Sequence, residues 1–183
     1  MKLDLIKMPV DDETALGASH ILGCPDVPAK WNDDAVFFND EVFVGQINLS
    51  EIKHPSLPSE GILYFFFASM SKPYRGIVRY TKNLDDLERI DFNVDSPLKA
   101  NFDLEFAVKF EESANDVELL GKMPKFKNYK PTSDEVALLK LDFSNYPEVE
   151  VFKEYDDVVC YVIKKEDLEK HQFEKAYLAN NLN

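Results

Sequence analysis

The chain has 183 residues, 45% of them apolar and 30% charged, which excludes a disordered chain and a small disulfide-stapled fold. A chain of this length buries roughly 70% of the surface that its unfolded form exposes, so one domain with a proper core is expected. Its 34 acidic and 21 basic side chains give a formal net charge of −13. Such a surface repels phosphate backbones and argues against nucleic acid as a partner, while favouring a basic protein.

The first residues, MKLDLIKMPVDDE, are interrupted by Asp4 and by the acidic run Asp11, Asp12, Glu13, so no signal-peptide pattern is read there. The longest apolar run, Ile62 to Ala68, falls far short of the ~20 residues that span a bilayer. Cys24 and Cys160 sit in apolar company without a disulfide-framework spacing, which suits reduced thiols. A soluble, cytoplasmic protein without membrane contact is the expectation.

Period-two alternation dominates the chain. Glu41 to Asn48 reads as a strand with Val42, Val44, Gln46 and Asn48 on one side and Phe43 and Ile47 on the other. Gly61 to Ala68 is continuously apolar and follows the turn signal Leu57-Pro58-Ser59-Glu60, as a central strand buried on both faces should. Gly76 to Thr81 follows, then a weaker strand at Leu87 to Phe92. In Asp103 to Phe110 the residues Leu104, Phe106, Val108 and Phe110 share one face. A short helical turn is predicted from Ala114 to Leu120, with Gly121 as its cap. Val136 to Phe143, Val149 to Lys153 and Val158 to Lys164 complete the strands. The spacing of Leu168, Phe173, Ala176 and Tyr177 predicts a C-terminal helix over Glu166 to Ala179. The predicted class is α+β, mostly antiparallel β-sheet with a C-terminal helix.

Two segments echo one another. Ile21-Leu22-Gly23 with Pro25 matches Leu119-Leu120-Gly121 with Pro124. Gln46 to Ser50 matches Lys140 to Ser144, and each unit closes on a strong strand, Ile62 to Phe66 and Val159 to Ile163. One domain built from two related strand units, roughly 19–92 and 115–178, is the physical reading, because neither half buries both faces alone.

The same residues carry a resemblance. Phe43-Val44-Gly45-Gln46-Ile47-Asn48-Leu49-Ser50-Glu51-Ile52, Leu57-Pro58 and Glu60 to Phe66 resemble the signature of the YwqG-like domain, a bacterial family of unknown function. Ser19, Leu22, Gly23, Pro25, Pro28 and Trp31 match its opening, and Leu139 to Asp142 and Asp157 to Ile163 its later part. The sequence departs from the pattern at Lys140, where a glutamine is expected, and at Val158, where a glycine is expected. The resemblance implies an α+β fold with an internal pseudo-repeat and no known reaction. Some relatives resemble immunity proteins encoded beside secreted toxins.

No metal-ligand spacing, nucleophile elbow or phosphate-cradling glycine loop is present, and no cofactor is expected. His20 and Cys24 stand four apart; a nucleophile pair is the sharp reading and a buried cysteine beside a turn histidine the plain one. Lys122, Lys125, Lys127 and Lys130 alternate with Met123, Phe126 and Tyr129, a pattern that meets phosphates and bases in some proteins and is a solvated loop in most. Gln46 and Asn48 are polar residues inside an apolar strand. They either form a structural network or line a cleft with Trp31, the single tryptophan. Two functions follow. One is a non-catalytic binding protein whose acidic surface engages a basic protein, in the manner of an inhibitor or immunity factor. The alternative is a small-molecule or peptide binding module, or an enzyme, using an inter-repeat cleft at Trp31, Gln46 and Asn48.

Overall fold

The computed structural model describes residues 1–9, 12–33, 36–38, 40–68, 75–91, 104–110, 117–126, 129–150, 152–153 and 157–179. Among the described residues ten strands form one antiparallel sheet: β1 (Lys2–Lys7), β2 (His20–Leu22), β4 (Glu41–Asn48), β5 (Ile62–Ala68), β6 (Arg75–Thr81), β8 (Glu105–Lys109), β9 (Val117–Gly121), β10 (Glu135–Asp142), β11 (Val158–Lys164) and β12 (Tyr177–Ala179). Their spatial order is β12-β11-β10-β9-β1-β8-β2-β4-β5-β6. Two short strands, β3 (Asp26–Pro28) and β7 (Leu87–Arg89), pair as a separate ribbon.

The sheet bends until its edges meet. A Cβ placed on Gly76 of β6 would lie 2.7 Å from the backbone nitrogen of Leu178 in β12, so only a glycine lets the two edge strands approach this closely. A curled sheet hides the edges that an open one leaves exposed. The enclosed space is filled by one continuous core that includes Leu5, Ile21, Val44, Phe65, Phe106, Leu119, Leu141 and Tyr161. Each such fully buried large side chain contributes about 1.5–3 kcal/mol.

Each half of the sheet also has a covered outer face. Over β4 and β5, the side chains of Phe43, Ile62, Tyr64 and Phe66 are buried beneath the β3–β7 ribbon and Trp31. Over β10 and β11, Ala137, Cys160 and Val162 are buried beneath Met123, Phe126 and Tyr129.

The fold is nearly all-β, which corrects the α+β expectation. The described residues contain two helices of five residues each, α1 (Ala29–Asp33) and α2 (Lys165–Glu169). The C-terminal helix predicted over Glu166 to Ala179 stops at Glu169 because His171 takes a left-handed backbone, φ 53°. A 3-10 turn at Phe173–Lys175 and strand β12 follow. Leu168, Phe173 and Ala176 still reach the core, so helical spacing is met here without a helix. The helical turn expected at Ala114 to Leu120 is strand β9 from Val117 onward, and residues 114–116 lie outside the described part. The strand expected at Val149 to Lys153 is irregular where it is described, although Val149 and Phe152 are buried.

A bulge corrects the faces of β4. The register shifts between Phe43 and Gly45, so Val42, Val44 and Ile47 all point into the core while Phe43 faces out. Strand β10 has a bulge at the matching place, between Ala137 and Leu139. No helix among the described residues is long and apolar enough to cross a membrane.

Candidate functional site

A dense polar cluster lies where β2, β4 and the β3–β7 ribbon converge, and Asp26 is its centre. Its Oδ2 accepts from the Gly17 amide at 2.8 Å, from Gln46 Nε2 at 3.0 Å and from Arg89 Nη2 at 3.1 Å, and its Oδ1 accepts from Arg89 Nε at 2.7 Å. Four donors fill the acceptor capacity of the carboxylate. The buried charge is thereby tolerable, because a bidentate arginine neutralises it. Arg89 also donates to Glu13 Oε2 at 2.9 Å and to the Thr14 carbonyl at 3.1 Å, which ties the chain before β2 to β7.

Gln46 is fully buried and bonded on both ends of its amide. Its Oε1 accepts from the Asp26 amide at 2.9 Å, and its Nε2 donates to the Ala18 carbonyl at 2.9 Å as well as to Asp26. Asn48 is half-buried; its Nδ2 donates to the Gly17 carbonyl at 2.7 Å and its Oδ1 accepts from the Ser50 amide and hydroxyl. Trp31 stands on α1, half-buried, with its ring 5.3 Å from Tyr64 and 6.1 Å from Phe37. The Tyr64 hydroxyl donates to the Asp26 carbonyl at 2.6 Å. Burial, and then the nearby Asp26 charge, push the Tyr64 phenol well above its ordinary range. Trp31 and Gln46 are thus joined through Tyr64 and Asp26, whereas Asn48 is turned toward Gly17. The partners of all three residues lie between Gly17 and Tyr64, in the first half of the chain.

His20 is buried, and its Nε2 is 3.0 Å from the carbonyl oxygen of Cys24. The imidazole is bonded to the cysteine's backbone carbonyl. Burial pulls the His20 pKa below its ordinary value, against the pull of Glu105 and Asp26. Its Nδ1 lies 3.3 Å from the Thr14 hydroxyl and 3.2 Å from the Ala18 carbonyl oxygen.

Sequence reasoning passed over a second cluster, at Glu135. The Tyr129 hydroxyl donates to Glu135 Oε2 at 2.7 Å, the Thr132 amide donates to the same oxygen at 2.7 Å, and the Tyr177 hydroxyl donates to Oε1. Burial alone would raise this carboxyl; the bonds from Tyr177, Thr132 and Tyr129 outweigh it and hold the pKa at about 2. Burial and the Glu135 carboxylate push Tyr177 up to about 12. Nothing in the sequence sets Glu135 apart from its neighbour Asp134, because Tyr177 reaches it from 42 residues away.

The basic loop uses its apolar residues on the sheet: Met123, Phe126 and Tyr129 pack on the outer face of β10 and β11, and Lys122, Lys125 and Lys130 point to solvent. Lys127 lies outside the described residues. Lys140 sits 3.6 Å from Glu118 on the neighbouring strand. A groove of about 370 Å³ is lined by residues between Ser50 and Ser59, with neither Trp31 nor Gln46 on its wall. No group of three or more potential metal ligands occurs among the described residues.

An antiparallel sheet curled around a filled interior, with polar clusters on its outside, defines an all-β domain. Residues 19–181 match the model of a domain of unknown function, DUF1963, and the chain belongs to that family. No curated protein matches the chain.

Proposed function

We propose that the protein is a non-catalytic binding domain whose acidic surface engages a basic protein, in the manner of an inhibitor or immunity factor. The carrying observation is the formal charge of −13. The buried pairs Arg89–Asp26 and Arg79–Glu41 are each neutral, so they leave the acidic excess on the rest of the chain. The bonding of Gln46 and Asn48 supports their structural reading. Both amides are held by the protein itself, and a ligand would have to replace those bonds. Within the DUF1963 family we place the chain on the YwqG-like branch, on the residues Phe43 to Phe66, and in a bacterial cytoplasm, on two cysteines that are not joined by a disulfide. We also read the domain as two related strand units.

Electrostatic association of this kind weakens steeply as salt rises, because exposed charges are screened within ~8–10 Å at 0.1–0.15 M ionic strength. The test is to immobilise the protein, apply lysate and secreted material from its source, and elute with salt. Release of a discrete basic protein at moderate salt is expected. Retention indifferent to salt, or of acidic proteins only, overturns the reading.

A further inference from the structure

We infer that the outer face around Glu135 is a receptor for an arginine side chain presented by the basic partner, an inference that rests on the acidic-surface reading above and gives it an address.

The first half of the molecule shows what this position holds. Glu41 and Glu135 each open an eight-residue strand, β4 and β10. Each strand bulges shortly afterwards, and each ends in a residue, Asn48 or Asp142, whose Oδ1 accepts from the amide and hydroxyl of the serine two positions on. Glu41 holds a guanidinium. Arg79 Nη1 and Nη2 donate to its two carboxylate oxygens, both at 2.6 Å, and the guanidinium carbon lies 5.1 Å and 5.0 Å from the ring centroids of Phe37 and Phe66. Paired carboxylate contact with aromatic stacking is the arrangement that arginine, and not lysine, satisfies.

At Glu135 the carboxylate and the aromatic rings recur, and among the described residues no arginine or lysine of this chain is paired with it. Three oxygen–oxygen contacts link the cluster: Tyr129 with Glu135, Tyr177 with Glu135, and Tyr129 with Tyr177 at 2.9 Å. Two phenols supply only two hydrogens for these three contacts. One contact therefore has no hydrogen of its own. The cluster is rich in acceptors and short of donors. A guanidinium, with five N–H groups in a planar fork, supplies what is lacking. The Tyr129 ring, whose hydroxyl meets the carboxylate, packs edge to face on Phe126 at 6.3 Å, so an aromatic pair adjoins the cluster. Glu135, Tyr129 and Tyr177 are all partly exposed, so the cluster can be reached from outside, and Asp134 beside it is exposed. Of this chain's own cations, Lys164 stands opposite Glu135 in the β10–β11 register with its side chain exposed, and Lys165 donates to the Ser133 carbonyl at 2.6 Å.

The test uses the intact protein and two fluorescein-labelled probes, hexa-arginine and hexa-lysine, read by anisotropy at low and at physiological salt. The wild type is expected to prefer the arginine probe. Glu135→Gln is expected to weaken arginine binding about tenfold. Asp85→Asn, which removes an exposed charge in the first half, should change it by less than about twofold. Equal weakening by the two variants would overturn the receptor at Glu135 while leaving the acidic-surface reading intact. Absence of any salt-dependent binding by the wild type would overturn both. Should Glu135→Gln lose its cooperative melting transition, Tyr177→Phe decides. It keeps carboxylate and ring and removes a competing hydroxyl, so arginine binding should hold or tighten, and loss of the arginine preference overturns the proposal.

Discussion

The Tyr161 hydroxyl on β11 donates to the carbonyl oxygen of Phe66 on β5 at 2.9 Å, joining residues 95 positions apart. The ring of Tyr161 also packs edge-on against Phe65 at 5.1 Å. This polar bridge inside an apolar core links the two halves directly. Tyr161→Phe keeps the ring and removes the bond, so it should cost about 1–2 kcal/mol by the usual worth of a buried hydrogen bond. Urea titration followed by Trp31 fluorescence measures it, and an unchanged midpoint would count against the bridge.

Gly76 governs closure of the sheet. A methyl group there would press on backbone and Cβ atoms of Leu178, which cannot swing aside as a side-chain tip can. Gly76→Ala is expected to cost about 1–3 kcal/mol through overpacking. Faster hydrogen exchange should appear in Tyr177 to Ala179, which would be levered off β6. Uniform exchange throughout the sheet would point to some other cause.

Removing Arg89 leaves Asp26 buried with its charge uncompensated. Arg89→Met, which retains much of the apolar stem, should therefore destabilise by about 3–5 kcal/mol. The double variant Arg89→Met with Asp26→Asn should recover part of that loss. Recovery in the double variant, absent from Arg89→Met alone, is the signature to look for in paired melting curves.

His20 makes stability depend on pH. Its native pKa lies below 6.5, so the unfolded chain takes up a proton there before the folded one does. Its contribution is complete above pH 6.5 and is lost as pH falls from there toward the native value. Glu135 acts in a lower window: its carboxyl is held at about 2 against an ordinary 4.5, so its contribution disappears between those values. Wild-type urea midpoints should fall between about pH 7 and about pH 5, and those of His20→Gln should fall less. Parallel slopes for the two proteins would exclude His20 as the origin.

Cys160 is buried and its thiol is pushed up to about 12, mainly by that burial. An aromatic disulfide reagent should leave it unmodified in the native protein and titrate it once urea unfolds the chain. Native-state reaction of both cysteines would show that the cover of Met123, Phe126 and Tyr129 opens readily.

The long strands were legible because each carries its own pattern. Ile62 to Ala68 is apolar on both faces and is covered on both, and Leu104 to Lys109 alternates and is half-covered. Strands β2, β3, β7 and β12 are three residues each, too short to show a period, and depend on neighbours distant in sequence. The bulge in β4 was hidden for a different reason. Strict alternation assigns Ile47 to the side of Phe43, and only pairing with β5 reveals the extra residue. At the candidate site, Gln46 and Asn48 stood out as polar residues in an apolar strand. Asp26 and Arg89 did not, since charged residues in three-residue strands read as solvated until tertiary contacts enclose them, nor did Glu135, which opens β10 and is marked only by Tyr177 from 42 residues away.

Strand β1 occupies the middle of the sheet, with β8 on one side and β9 on the other: Asp4 pairs with Lys109, and Lys2 with Glu118. During synthesis this strand leaves the ribosome long before either neighbour exists. Its edge groups must stay hydrated until about a hundred residues more have been added. Assembly therefore depends on loop closure over most of the chain, which favours slow folding after the strands have been made. A nascent chain stalled before β9 would present an apolar, unclosed sheet, and that is where a chaperone would be needed most.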